Sequence, residues 1–110
     1  MACYFCVDVY FNKDNERNEY DEYIAMVKPI VEAYGGKYLV RSENVMALSE
    51  TRTPNRVILI RFPNKEALDK CFGSNEYISI MHKRTSTVDA RAVVINEKYY
   101  EDTSNCIAVR

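Results

Sequence analysis

Tyr34-Gly35-Gly36-Lys37-Tyr38-Leu39-Val40-Arg41 is the stretch on which the fold turns. Upstream of it, Tyr20, Tyr23, Ile24, Val27, Val31 and Tyr34 recur at three- and four-residue steps, with Asp21, Glu22, Lys28 and Glu32 off that stripe. The spacing predicts one amphipathic helix over about residues 17–34. Pro29 lies inside it, removes one backbone hydrogen bond and is expected to kink it. Gly35 or Gly36 then supplies a left-handed cap at the helix end, which a residue without a Cβ adopts at little cost. A phosphate cradle would need its glycines before a helix, not after one. From Lys37 to Arg41 the pattern is that of a strand, with residues 45–48 a candidate continuation beyond a bend at 42–44.

Before the helix, residues 3–11 alternate cleanly. Phe5, Val7, Val9 and Phe11 make one apolar face; Tyr4, Cys6, Asp8 and Tyr10 make a mixed one. Residues 12–16 form a polar turn rich in helix-capping side chains. Beyond the glycines, residues 50–55 read as a loop and residues 56–62 as the most apolar, central strand. Pro63 ends that strand, and Asn64 caps a helix over 65–71. Phe72-Gly73-Ser74 breaks it, and Ser74 caps a second segment over about 75–83. Residues 88–95 form a last strand. The order strand, helix, strand, strand, helix, strand, with right-handed crossovers, defines a ferredoxin-like α+β sandwich: one antiparallel sheet with both helices on one face. Residues 1–96 make the domain; residues 97–110 are a C-terminal tail with a candidate short added strand at 106–109.

Bulk properties narrow the function classes. The chain of 110 residues is 47% hydrophobic and 28% charged with a net charge of −1, so no electrostatic pull toward nucleic acid or an anionic membrane is expected. No apolar run reaches the ~20 residues of a membrane helix, and the first residues do not read as a secretory signal. A cytoplasmic location follows as the expectation. Cys3 and Cys6 are spaced C-x-x-C, but within a strand they face opposite sides, so they are expected to be independent reduced thiols. One histidine and dispersed cysteines make no zinc site. No serine elbow, nucleotide-binding loop or dinucleotide fingerprint is present, and no cofactor is expected. The central strand lacks the exposed aromatic pair and glycines of an RNA-recognition motif.

Two helices cover only one side of a sheet. Tyr4, Cys6, Tyr10, Val57, Leu59 and Val93 remain on the other, and an apolar patch of that kind marks an interface. The simplest partner is a second copy packed sheet to sheet about a two-fold axis. Asp8, Arg61 and Arg91 fall on the same face. They form either an ion-paired network inside the dimer, since unpaired buried charge costs several kcal/mol, or a polar pocket whose arginines hold a small carboxylate or an enolate. With Tyr10, and with His82 as a candidate proton acceptor or haem ligand, these residues are the candidate ligand-binding set.

Tyr20-x-x-Tyr23, the glycine-pair stretch, Arg56-Val57-Ile58-Leu59-Ile60-Arg61-Phe62-Pro63, Phe72-x-Ser74-x-Glu76-Tyr77, and Arg84 followed by Asp89-Ala90-Arg91 occur in one order. In this the chain resembles the family called domain of unknown function 1330, over about residues 4–96. It departs at Cys71-Phe72, where the family has an aromatic pair, and at Asn75, where proline is common. The resemblance implies a dimeric α+β barrel, within a superfamily that includes cofactor-free monooxygenases, lactone isomerases and haem enzymes. The family has no settled activity, so architecture transfers better than chemistry. The expectation is a homodimer with a small-molecule pocket, between sheet and helices or at the dimer interface, for a small carboxylate or aromatic ligand. The alternative is a cofactor-independent monooxygenase- or isomerase-like enzyme acting on an enolisable or aromatic substrate.

Overall fold

The structure is a computed structural model and describes residues 1–11 and 17–97. Its elements run β1 (Cys3–Phe11), α1 (Arg17–Ala33), β2 (Lys37–Ser42), β3 (Arg56–Phe62), α2 (Lys65–Phe72), α3 (Asn75–Ile80), α4 (His82–Thr85) and β4 (Val88–Asn96). The strands form one antiparallel sheet in the order β2-β3-β1-β4. This is the ferredoxin-like α+β sandwich, with α1 and the α2–α4 segments packed on one face. The candidate caps at 12–16 and the tail strand at 106–109 lie outside the described residues.

The glycine pair divides its work. The Gly35 amide donates to the Glu32 carbonyl at 3.1 Å, and the Gly36 amide to the Val31 carbonyl at 2.9 Å. With Gly35 at φ +89°, this is the Schellman arrangement that closes a helix and satisfies two orphan carbonyls. Gly36 serves by its lack of bulk. A Cβ there would overlap a Val31 methyl and sit 3.0 Å from the Phe62 ring. The first residue of the pair stops α1, and the second lets β2 leave directly beneath it. α1 itself continues as helix through Pro29.

The alternation in β1 and β3 holds as read. Phe5, Val7 and Val9 pair across the sheet with Ile60, Ile58 and Arg56, on the face toward the helices. There they meet Tyr20, Tyr23, Val27 and Val31 of α1, Leu68 and Cys71 of α2, and Tyr77 and Ile80 of α3. Asn64 caps α2 by accepting from the Ala67 amide at 2.8 Å, and Ser74 caps α3 by accepting from Tyr77 at 3.1 Å. Cys3 is in this core, whereas Cys6 lies opposite Leu59 and Val93 on the other face. Both are free thiols, as is Cys71.

One expected element is absent. Residues 45–48 do not continue β2. The chain leaves the sheet at Glu43, whose carboxylate is held by Arg17 at 2.7 Å and by Arg56 at 2.9 Å. The Asn44 amide turns back onto the Ser42 hydroxyl at 3.0 Å. A strand through this point would surrender both arginines. Arg56 is nearly buried beneath the Phe11 and Tyr20 rings, and a buried cation without its carboxylate is costly.

Candidate functional site

Between the sheet and the helices lies a cavity of about 460 Å³, open on one side. β1 contributes Phe5, Val7 and Val9, α1 contributes Tyr23, Val27 and Val31, and β3 contributes Ile58 and Ile60. The space exists because, opposite Val9 and Val7, β4 presents the small side chains of Ala90 and Ala92, between Val88 and Val94 on the same face. Larger side chains there would fill it. Ligand sites are concavities of this size, mostly apolar with a few converging polar groups.

The polar groups here are Tyr23, Tyr77 and Arg84. Tyr23 Oη donates to Tyr77 Oη at 3.1 Å, and Arg84 Nε donates to the same Tyr77 oxygen at 3.3 Å. The Tyr23 and Tyr77 rings meet edge to face, and Tyr77 meets Phe72 the same way with centroids 4.9 Å apart. Burial drives the Tyr23 pKa far above its ordinary value, with the Tyr77 phenol adding to the effect. Tyr23 therefore stays a neutral donor at physiological pH. Burial works against the Arg84 charge, but the Tyr77 and Tyr23 oxygens outweigh it and hold the guanidinium above its ordinary pKa. Tyr38 also lines the cavity, and burial pushes its pKa up to about 12.

The five candidate residues read from sequence do not meet here. Asp8, Tyr10, Arg61 and Arg91 sit on the opposite face of the sheet, as the alternation requires. His82 is exposed on α4 and does not line the cavity. Nor do Asp8, Arg61 and Arg91 form one ion network within the chain. Asp8 takes both Nε and Nη2 of Arg52, at 2.6 and 2.9 Å, and the hydrogen bonds from Arg52 hold its carboxyl below the usual range. Arg91 lies directly across from Asp8 in register, yet binds Asp89 at 2.9 Å and stacks on the Tyr10 ring. Arg61 pairs with Tyr4, four residues along β1 from Asp8. That is about 13 Å at the rise of an extended strand, too far for a contact. The sequence reading overlooked Tyr23, Tyr77 and Arg84 as a unit. Its available signal was two tyrosines on apolar helical positions, because buried phenols need hydrogen-bond partners.

Fold and cavity together define a ferredoxin-like α+β protein with an apolar pocket under its helices. The chain belongs to the family described as domain of unknown function (DUF1330), whose profile matches residues 4–98. None of the curated proteins compared matches the sequence. Among solved structures, a protein of unknown function from Rhodopseudomonas palustris superposes with a TM-score of 0.74 at 16% identity, covering 90% of this chain and 84% of that one. A dimeric ferredoxin-like protein of unknown function from a Jannaschia species gives 0.73 at 14% identity, over 88% and 100%. SnoaB, a cofactor-independent oxygenase from Streptomyces nogalater, gives 0.62 at 9% identity, over 91% and 96%. At these identities the likeness concerns the fold. Among the described residues, no helix is long and apolar enough to cross a membrane.

Proposed function

We propose that the protein is a homodimer that binds a small, largely apolar molecule in the cavity between sheet and helices. The cavity is the observation that carries this reading. A domain of this size gains nothing in stability from leaving such a space beneath Ala90 and Ala92. The dimer is supported by the outer sheet face, where Val40 and Val93 are exposed and Leu59 half-buried in the single chain, beside a loop whose Met46 and Leu48 are 85% and 95% exposed. It is supported further by the Jannaschia protein of like fold, which is dimeric. We place the domain in residues 1–96, with the remainder as an appended tail, and the protein in the cytoplasm, in keeping with its free buried thiols.

Filling the space tests the pocket. Ala90→Leu puts a branched side chain on its floor. Binding of a neutral fluorescent apolar probe such as Nile red should be lost, while the melting temperature holds or rises. Undiminished probe binding in a folded Ala90→Leu protein would refute the pocket. A second reading, cofactor-independent oxygenation or isomerisation of an enolisable or aromatic substrate, is supported by the fold shared with SnoaB. Oxygen uptake dependent on an added phenolic substrate, abolished by Ala90→Leu, is its expected signature.

A further inference from the structure

Resting on the reading that this cavity holds a ligand, we infer that the ligand carries an oxyanion, a carboxylate or enolate, seated against Arg84, Tyr77 and Tyr23, with its apolar body along β1 and β4. The argument is a count of donors. Two phenols and one guanidinium share only two acceptor oxygens, both phenolic. Tyr77 Oη accepts from Arg84 Nε and from Tyr23. Whichever phenol donates to the other, one phenolic proton is left over, and the Arg84 guanidinium has only the two phenolic oxygens for partners, with no carboxylate paired to it among the described residues. Donors beside an apolar wall are served better the more acceptors reach them. Water can meet that need. An oxyanion meets it with stronger, charge-assisted bonds.

The other arginines sharpen the point. Arg17 and Arg56, the others that are partly or fully buried among the described residues, both hold Glu43. Arg52 and Arg91 hold Asp8 and Asp89. Arg41 and Arg61 are exposed to water. Arg84 alone is half-buried, lines the cavity, and has no carboxylate within ion-pair distance among the described residues. A cationic ligand would be repelled there, and a neutral one would leave the guanidinium uncompensated against carbon. The wall opposite, Phe5, Ile58 and Ala90, offers only carbon. The fitting ligand is therefore amphipathic, with an anionic end and an apolar, ring-sized or chain-like body. Should the protein be catalytic, the same donors would stabilise an enolate as it forms.

Isothermal titration with matched acids and amides decides the matter. Benzoate, 2-naphthoate and decanoate are each compared with the corresponding amide at pH 7.5. At least one acid should bind wild type ten-fold or more tightly than its amide. Arg84→Met should remove that preference by weakening acid binding far more than amide binding, Arg84→Lys should restore part of it, and Tyr77→Phe should weaken acid binding several-fold. The acid–amide comparison in wild type stands even where a variant fails to fold. Equal binding of acid and amide, both lost in Ala90→Leu, would overturn the oxyanion site and keep the pocket. Acid preference retained in folded Arg84→Met would also overturn it. Failure of every acid and amide, together with failure of the neutral probe, would remove the pocket and this inference with it.

Discussion

Replacing Gly36 by alanine isolates the close approach on which the strand–helix junction depends. Gly36 is buried and its φ lies outside the left-handed region, so alanine meets no backbone penalty. The substitution even restricts the unfolded chain, which by itself stabilises by about 0.4–1 kcal/mol. Steric cost decides the sign. The new Cβ would collide with a Val31 methyl and lie 3.0 Å from both the Phe62 ring and the Val31 carbonyl. Val31 is fully buried in α1, where a β-branched side chain has one strongly preferred rotamer. Neither valine nor helix backbone can yield cheaply, and overpacking of this kind costs about 1–3 kcal/mol. The net loss should be about 1–2 kcal/mol, a fall in melting temperature of roughly 5–15 °C for a domain of this length. The melts must be run at one protein concentration, since a dimer's stability depends on it. Val31→Ala alone should cost about 2 kcal/mol through lost burial and a cavity. In the double variant the alanine Cβ occupies the space the valine methyl vacated. Its cost should therefore fall short of the sum of the singles by about 1 kcal/mol or more. Additivity within 0.5 kcal/mol, or a Gly36→Ala protein melting like wild type, would refute the steric account. Gly35→Ala should fail differently. Its loss of about 1 kcal/mol reflects φ +89°, shows no coupling to Val31, and shrinks in Gly35→Asn.

Three further outcomes follow from the packing. Light scattering at micromolar concentration should give twice the 12.8 kDa chain mass, and Val93→Glu or Leu59→Glu on the uncovered sheet face should give the single mass; a monomeric wild type would remove the dimer. Burial raises the pKa of Tyr20, of Tyr23 and, to about 12, of Tyr38, above the ~10 of a free phenol. The folded chain thus keeps protons that the unfolded chain releases above pH 10, so these groups leave stability unaffected below pH 10 and erode it from there to beyond pH 12. Urea midpoints level between pH 8 and pH 11.5 would contradict that burial. Burial pushes the Cys71 thiol up to about 11, with help from Glu76, and raises Cys3 as well. In a Cys106→Ser background both should resist thiol reagents at pH 8 until unfolding, while Cys6 becomes reactive on dilution into monomers; rapid labelling of Cys71 in the folded protein would count against the core described.

Local physics made much of this protein legible without coordinates. The helical stripe of α1, the alternation of β1 and β3, the caps at Asn64 and Ser74 and the stop at the glycine pair all depend on neighbours within a few residues. Side-chain period and backbone freedom are properties of the chain itself. The class of fold and the bare second sheet face followed from them. Tertiary structure decided who meets whom. Asp8 faced the side expected, but its partner came from Arg52 in a loop whose path no periodicity describes. Glu43 ended β2 because two arginines distant in sequence converge on it. Residue identity shows that Arg84 is a cation and Tyr23 and Tyr77 are phenols. Only the packing of α1 against α3 and α4 brings their polar atoms together at the edge of a space kept open by two alanines of β4. Periodicity assigns a side chain to a face. The distance between two side chains on separate elements depends on how every element between them packs.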